Sequence, residues 1–142
     1  MLHAAVEANG LAGKYEVLAC GAEELEQQGL EKGTFDTVLC CKVLCGVPEP
    51  AQVLKVLYEY LKPGGQLLVY EHVLNEENSL IRGWQRCMQW VWPVFLQGCN
   101  LDRCTEKLVR EAGEWETVEL RKPEGQLEWE SIPFVLGRAV KK

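Results

Sequence analysis

The chain has 142 residues, 47% of them hydrophobic and 25% charged, with a net charge of -6. That is enough chain for one domain with its own core. The acidic balance argues against a nucleic-acid footprint, and no apolar run reaches the roughly 18 residues a membrane-spanning helix needs. The start, "MLHAAVEANG", lacks the basic-then-apolar layout of a signal peptide. An intracellular, cytoplasmic protein is the simplest expectation. Seven cysteines, Cys20, Cys40, Cys41, Cys45, Cys87, Cys99 and Cys104, fit that setting as reduced thiols. Cys41 and Cys45 do not make a CxxC pair and have no His-rich neighbour, so no metal site is expected.

Residues 2–8 read as the end of a helix, stopped at Asn9-Gly10. His3 is expected on its surface. "YEVLA" (15–19) predicts a short strand, and "CGAEEL" (20–25) a turn. "FDTVLCC" (35–41) is an apolar run behind one acid, the pattern of a buried parallel strand.

"PEPAQVLKVLYEYLKPGG" (48–65) is the clearest helix. Pro50 suits its first position. Val53, Leu54, Leu57 and Leu61 share one face. Pro63-Gly64-Gly65 is expected to end it, since proline offers no N–H and glycine tolerates positive φ. "QLLVYEHV" (66–73) is the next strand.

From Ser79 onward, Leu80, Ile81, Trp84, Met88, Val91 and Phe95 repeat at helical spacing, with a kink or end expected at Pro93. Asp102 is placed to cap the helix "RCTEKLVREAG". "ETVELRK" (116–122) and "PFVLGRAVKK" (133–142) read as two final strands. Strands alternating with helices imply an α/β fold on a mostly parallel sheet, with an antiparallel strand pair at one edge.

Three stretches resemble one family: "GTFDTVLCCKVLCGVPEP", "LYEYLKPGGQLLVYEHV" and the closing strand pair. They are similar to the C-terminal half of class I S-adenosylmethionine-dependent methyltransferases. "VLCGVPEP", "EHV" and "GCNLDRCTEKLVREAGEW" resemble the branch of methyltransferase-like thiol methyltransferases and their fungal relatives. The resemblance implies a Rossmann-like sheet of strand order three-two-one-four-five-seven-six. "YEVLA" would be strand three and "DTVLCC" strand four. The family's glycine-rich loop and the acid that holds the donor ribose have no counterpart in these residues. The chain is therefore expected to be one partial methyltransferase domain over 1–142, lacking the first two strands. Strand four would then present a bare edge, which can recruit a partner chain that completes the sheet.

The resemblance implies S-adenosylmethionine as cofactor and a small, apolar acceptor such as a thiol or secondary metabolite. It maps Gly21, Ala22 and Glu23 onto the loop beside the adenine, with Glu23 or Glu24 as the acid. It maps Cys40, Cys41 and Lys42 onto the loop leaving strand four, at the carboxyl edge where α/β sheets bind ligands. The same residues also read as a plain turn and as core cysteines with a solvated lysine. His72 follows strand five, as a general base or as a hydrogen-bonded edge histidine. The Trp84, Trp90, Trp92 segment is a candidate acceptor-pocket cover or membrane-surface contact, or ordinary helix packing. Animal relatives carry a membrane anchor. The competing reading is an inactive fragment or a half-domain that binds another chain.

Overall fold

The computed structural model describes residues 2–96 and 98–142, with side chains from Ala4 onward. The side chain of His3 lies outside the described residues. The chain forms two compact units, residues 1–30 and 31–142. The first holds helix α1 (Leu2–Ala8) and a 3₁₀ segment (Ala22–Gln28). The expected strand at 15–19 is absent: this stretch runs without a ladder partner. Apolar residues alone do not make a strand, because a strand exists only as half of a hydrogen-bonded pair.

The second unit carries the sheet. Its elements are β1 (Phe35–Cys41), α2 (Pro50–Tyr60), β2 (Leu61–His72), α3 (Ser79–Met88), α4 (Trp92–Phe95), α5 (Thr105–Glu111), β3 (Trp115–Arg121) and β4 (Phe134–Lys141). The sheet order is β1-β2-β4-β3. β1 and β2 are parallel, while β4 runs antiparallel to both β2 and β3. This is the four-five-seven-six portion of the expected order. β1 is an edge strand among the described residues, paired only with β2.

Pro50 begins α2, as its fixed φ favours. The helix buries Leu54 and Tyr60 and ends at Tyr60, earlier than expected. Leu61 is already extended and opens β2. Pro63-Gly64-Gly65 therefore lies inside the strand, as an irregularity in it. Phe35 pairs with Leu61 and Thr37 with Gln66, so two residues advance on β1 while five advance on β2. Gly64 takes a φ of 75° in this loop-out. A Cβ on Gly65 would sit 2.9 Å from the Phe35 and Lys62 carbonyl oxygens.

Beyond the bulge, β2 alternates strictly. Leu67, Val69 and Glu71 face the core, while Tyr70 and His72 face the other way. The core joins Leu54, Leu61, Leu67 and Val69 to Cys40, Leu44, Val109, Val135 and Ala139. Helices α2 and α5 lie against each other and supply Leu54 and Val109 to it. Asp102 is not a cap. The first turn of α5 starts at Thr105 with Cys104 in the N-cap position, and no side chain caps it. Asn78 does cap α3, accepting from the Leu80 and Ile81 N–H groups. That helix ends at Met88, and Pro93 falls in the first turn of the short α4. No described helix is long and apolar enough to cross a membrane.

Among the glycines the closest backbone approach is at Gly137 on β4, where a Cβ would stand 1.9 Å from the Glu119 carbonyl oxygen of β3. Gly137→Ala is expected to cost at least about 2 kcal/mol through this clash. A urea unfolding midpoint equal to that of the parent would show that the strands separate freely there.

Candidate functional site

The site is built from the alternation of β2. Because Leu67 and Val69 face inward, so does Glu71, and it is fully buried. A buried carboxylate must be hydrogen-bonded. Glu71 finds its donors in the loop that leaves β1. Its Oε1 accepts from the N–H groups of Val43 at 2.7 Å and Leu44 at 3.0 Å. Its Oε2 accepts from Cys45 N–H at 3.4 Å. Three successive amides thus converge on one side chain, and the loop is fixed by charge-assisted bonds. Lys42 takes a φ of 55° to turn the chain into this nest, and its N–H donates to the Tyr70 carbonyl.

Cys40, Cys41 and Lys42, expected at this edge, divide by burial. The Cys40 thiol belongs to the core, whereas Cys41 and Lys42 are exposed. Burial, with the nearby Glu71 charge, pushes the Cys40 thiol up to about 12. The Lys42 ammonium lies 5.3 Å from the centroid of the Phe134 ring and 5.9 Å from that of Tyr70. Those two rings stack at 4.8 Å.

His72 is half-buried, edge-on to Phe134 at 4.4 Å between ring centroids. Burial first, then the Lys42 charge, lowers its pKa from the ordinary 6.5, which favours the neutral ring. Its Nδ1 lies 3.4 Å from the Cys99 sulfur. Sequence reasoning brings Glu71 to this edge beside His72 but gives it no chemical role, and it does not place Cys99 here at all. The period-2 pattern through Leu67 and Val69 signals the burial of Glu71. No local spacing signals Cys99.

Gly21, Ala22 and Glu23 belong to the first unit. Gly21 caps the 3₁₀ segment: its N–H donates to the Glu24 carboxylate and its carbonyl accepts from Glu24 N–H. Glu24 is thereby engaged locally, while Glu23 is exposed. Trp84 and Trp92 meet edge-to-face at 6.4 Å, and Trp90 is 88% exposed. A cavity of about 670 Å³ lies between the chain after β2, α5 and the start of β4, lined by Asn75, Thr105, Arg110, Lys122, Gln126 and Phe134 among others.

A family described as a methyltransferase domain matches residues 4–120. The chain belongs to that family. It is 36% identical over 121 residues to thiol S-methyltransferase TMT1B of Rattus norvegicus, covering 79% of this chain and 46% of that protein. It is 32% identical over 126 residues to TMT1A of Homo sapiens, covering 88% and 50%. The chain thus lies on the thiol methyltransferase branch of the class I S-adenosylmethionine-dependent methyltransferases, and it spans about half the length of these relatives. Among solved structures, the [4+2]-cyclase SpnF superposes with a TM-score of 0.73 at 16% identity, over 98% of this chain and 60% of that one. A possible histamine N-methyltransferase from Thermotoga maritima gives 0.59 at 25%, over 94% and 68%. Both support the Rossmann-like sheet.

The family implies S-adenosylmethionine. The residues at the carboxyl edge of β1 fit one wall of such a donor site. Cys41, Lys42 and Val43 are exposed there, and Val43 offers an apolar side chain while its N–H is turned away to Glu71. The sequence contains no G-x-G-x-G stretch.

Glu71→Gln places an NH₂ group against one or more of the loop's N–H donors. It is expected to cost about 1–3 kcal/mol and to accelerate amide hydrogen exchange at Val43, Leu44 and Cys45 above that of the sheet. Unchanged exchange at those amides would mean that the carboxylate does not hold the loop. The Cys40 thiol holds its proton in the folded state above the ordinary 9.0. Its stabilisation is therefore complete below pH 9 and is lost as pH rises from 9 toward 12. Cys40→Ala is expected to flatten the alkaline fall in unfolding free energy, read from urea curves across that window.

Proposed function

We propose that this chain serves methyl transfer from S-adenosylmethionine to a small apolar thiol, and that it supplies the carboxyl edge of β1 and β2 to the site. The observation that carries the reading is the loop after β1, held by Glu71 at the carboxyl ends of two parallel strands. Open α/β sheets bind their ligands at that edge. The two thiol S-methyltransferase relatives support a sulfur acceptor.

When bound, the donor supplies an electrophilic methyl group on a sulfonium sulfur. The residues of this chain act on the acceptor and on geometry. Glu71 keeps the loop rigid, so that Cys41, Lys42 and Val43 present a fixed wall, and positioning of this kind is a major source of rate. A thiol reacts as its thiolate. The Lys42 ammonium, held over the Phe134 and Tyr70 rings, places a positive charge where it favours that anion. The neighbouring aromatic faces suit an apolar thiol body.

The test is transfer of labelled methyl from S-adenosylmethionine to a panel of alkyl and aryl thiols, with phenols as comparison. Labelled thioether is expected. Lys42→Met is expected to move the acid limb of the pH–rate profile up by about one unit, the effect of losing one nearby charge. Transfer to phenols alone would overturn the thiol acceptor. Absence of any transfer, together with absence of S-adenosylhomocysteine binding by titration calorimetry, would overturn the reading for this chain.

A further inference from the structure

Three metal-ligating side chains from three separate segments meet beside the loop that Glu71 holds. Cys45 comes from the loop after β1, His72 from the end of β2, and Cys99 from the turn before α5. Their ligand atoms all lie within 4.8 Å of one another. The nearest pair, His72 Nδ1 and Cys99 Sγ, are 3.4 Å apart. Two sulfurs and one imidazole nitrogen around a zinc-sized ion stand about 3.5–3.8 Å apart. The cluster needs a contraction of about an ångström at its widest to reach that arrangement.

The backbones bearing the ligands are tied together. The Asn100 N–H donates to the Cys45 carbonyl at 2.7 Å, and the Asn100 side-chain amide donates to it at 3.0 Å. That same amide donates to the Gly98 carbonyl at 2.8 Å, which braces the turn on which Cys99 stands. The Thr105 hydroxyl donates to the His72 carbonyl. Bracing of this kind around the ligands orients them for a metal. Both cysteines are buried, Cys45 at 3% and Cys99 at 9% exposed. Two thiolates and a neutral imidazole cancel the charge of a divalent ion, so a loaded site carries no net charge into that interior. The Glu71 charge acts on Cys45 and the Lys42 charge on His72. Glu71 is already engaged by three amides and is not needed as a ligand.

We infer that Cys45, His72 and Cys99 form a binding site for one thiophilic divalent cation of the zinc type. Softness selects the metal class: sulfur with imidazole favours zinc and its heavier analogue cadmium over magnesium or calcium. Three protein ligands leave a fourth tetrahedral position for water or a small thiol. Loading releases thiol protons, so affinity rises with pH.

The test titrates the reduced full chain with Zn²⁺, and separately with Cd²⁺, and reads native mass and the sulfur-to-cadmium absorption band. One metal per chain is expected, retained in Cys41→Ser and in Cys87→Ser, whose thiols are exposed. Cys99→Ser and His72→Gln are each expected to weaken binding at least tenfold with circular dichroism unchanged. Failure of the parent chain to take up either metal would overturn the site by itself, whatever the variants do. Stoichiometry that survives in Cys45→Ser/Cys99→Ser and falls with the exposed cysteines would assign the binding elsewhere and overturn it equally. These readouts are independent of methyl transfer, so this site and the proposed activity can fail separately.

Discussion

A buried carboxylate in search of donors organises this structure. The alternation of β2 carries Glu71 into the interior, where an unpaired charge would cost several kcal/mol. The loop after β1 answers with three consecutive N–H groups. The exchange fixes a segment that has no ladder of its own. It also decides what that segment shows to solvent: Cys41, Lys42 and Val43 outward, Leu44 and Cys45 inward. One strand's period therefore sets the conformation of another strand's exit loop, across 26 to 28 residues of sequence.

The same register places the aromatic face. His72 lies opposite Phe134 and Tyr70 opposite Leu136 in the antiparallel ladder of β2 and β4. The antiparallel insertion of β4 beside β2 is what brings Phe134 to the carboxyl edge, where it stacks on Tyr70 and meets the His72 ring edge-on. The fold thus delivers a fixed loop, a lysine cation over aromatic faces and a half-buried histidine to one end of the sheet. Methyl transfer to a thiol asks for little more from this side than rigid placement and a field that favours the thiolate.

Much of this was legible in the sequence. The apolar run behind Asp36, the Pro50 start of α2 and the closing strand pair each carry a local physical cause, and each element forms where expected, but β1 is an edge strand that buries only Cys40 and leaves Leu39 exposed, not the buried strand its composition suggested. The resemblance supplied the strand order, which no periodicity contains. The failures are also physical. Tyr15–Ala19 has strand composition without a strand partner. Pro63-Gly64-Gly65 looks like a helix stop, yet Tyr60 had already ended α2, and the triplet instead bulges β2 against Phe35. Asp102 has a capping side chain, but the helix starts at Thr105 with Cys104 in the N-cap position and no side-chain cap. At the site, the spacing rules that find metal ligands within a few residues could not join Cys45, His72 and Cys99. Each comes from a different segment, and only the tertiary fold brings them together.

The Glu71-held loop is proposed here as a wall of the donor site. A crystal structure of the chain grown with S-adenosylhomocysteine tests it most directly. The product is expected to lie against Cys41, Lys42 and Val43, with the three amides still on Glu71. Product density elsewhere on the molecule, or none at that edge, would contradict it.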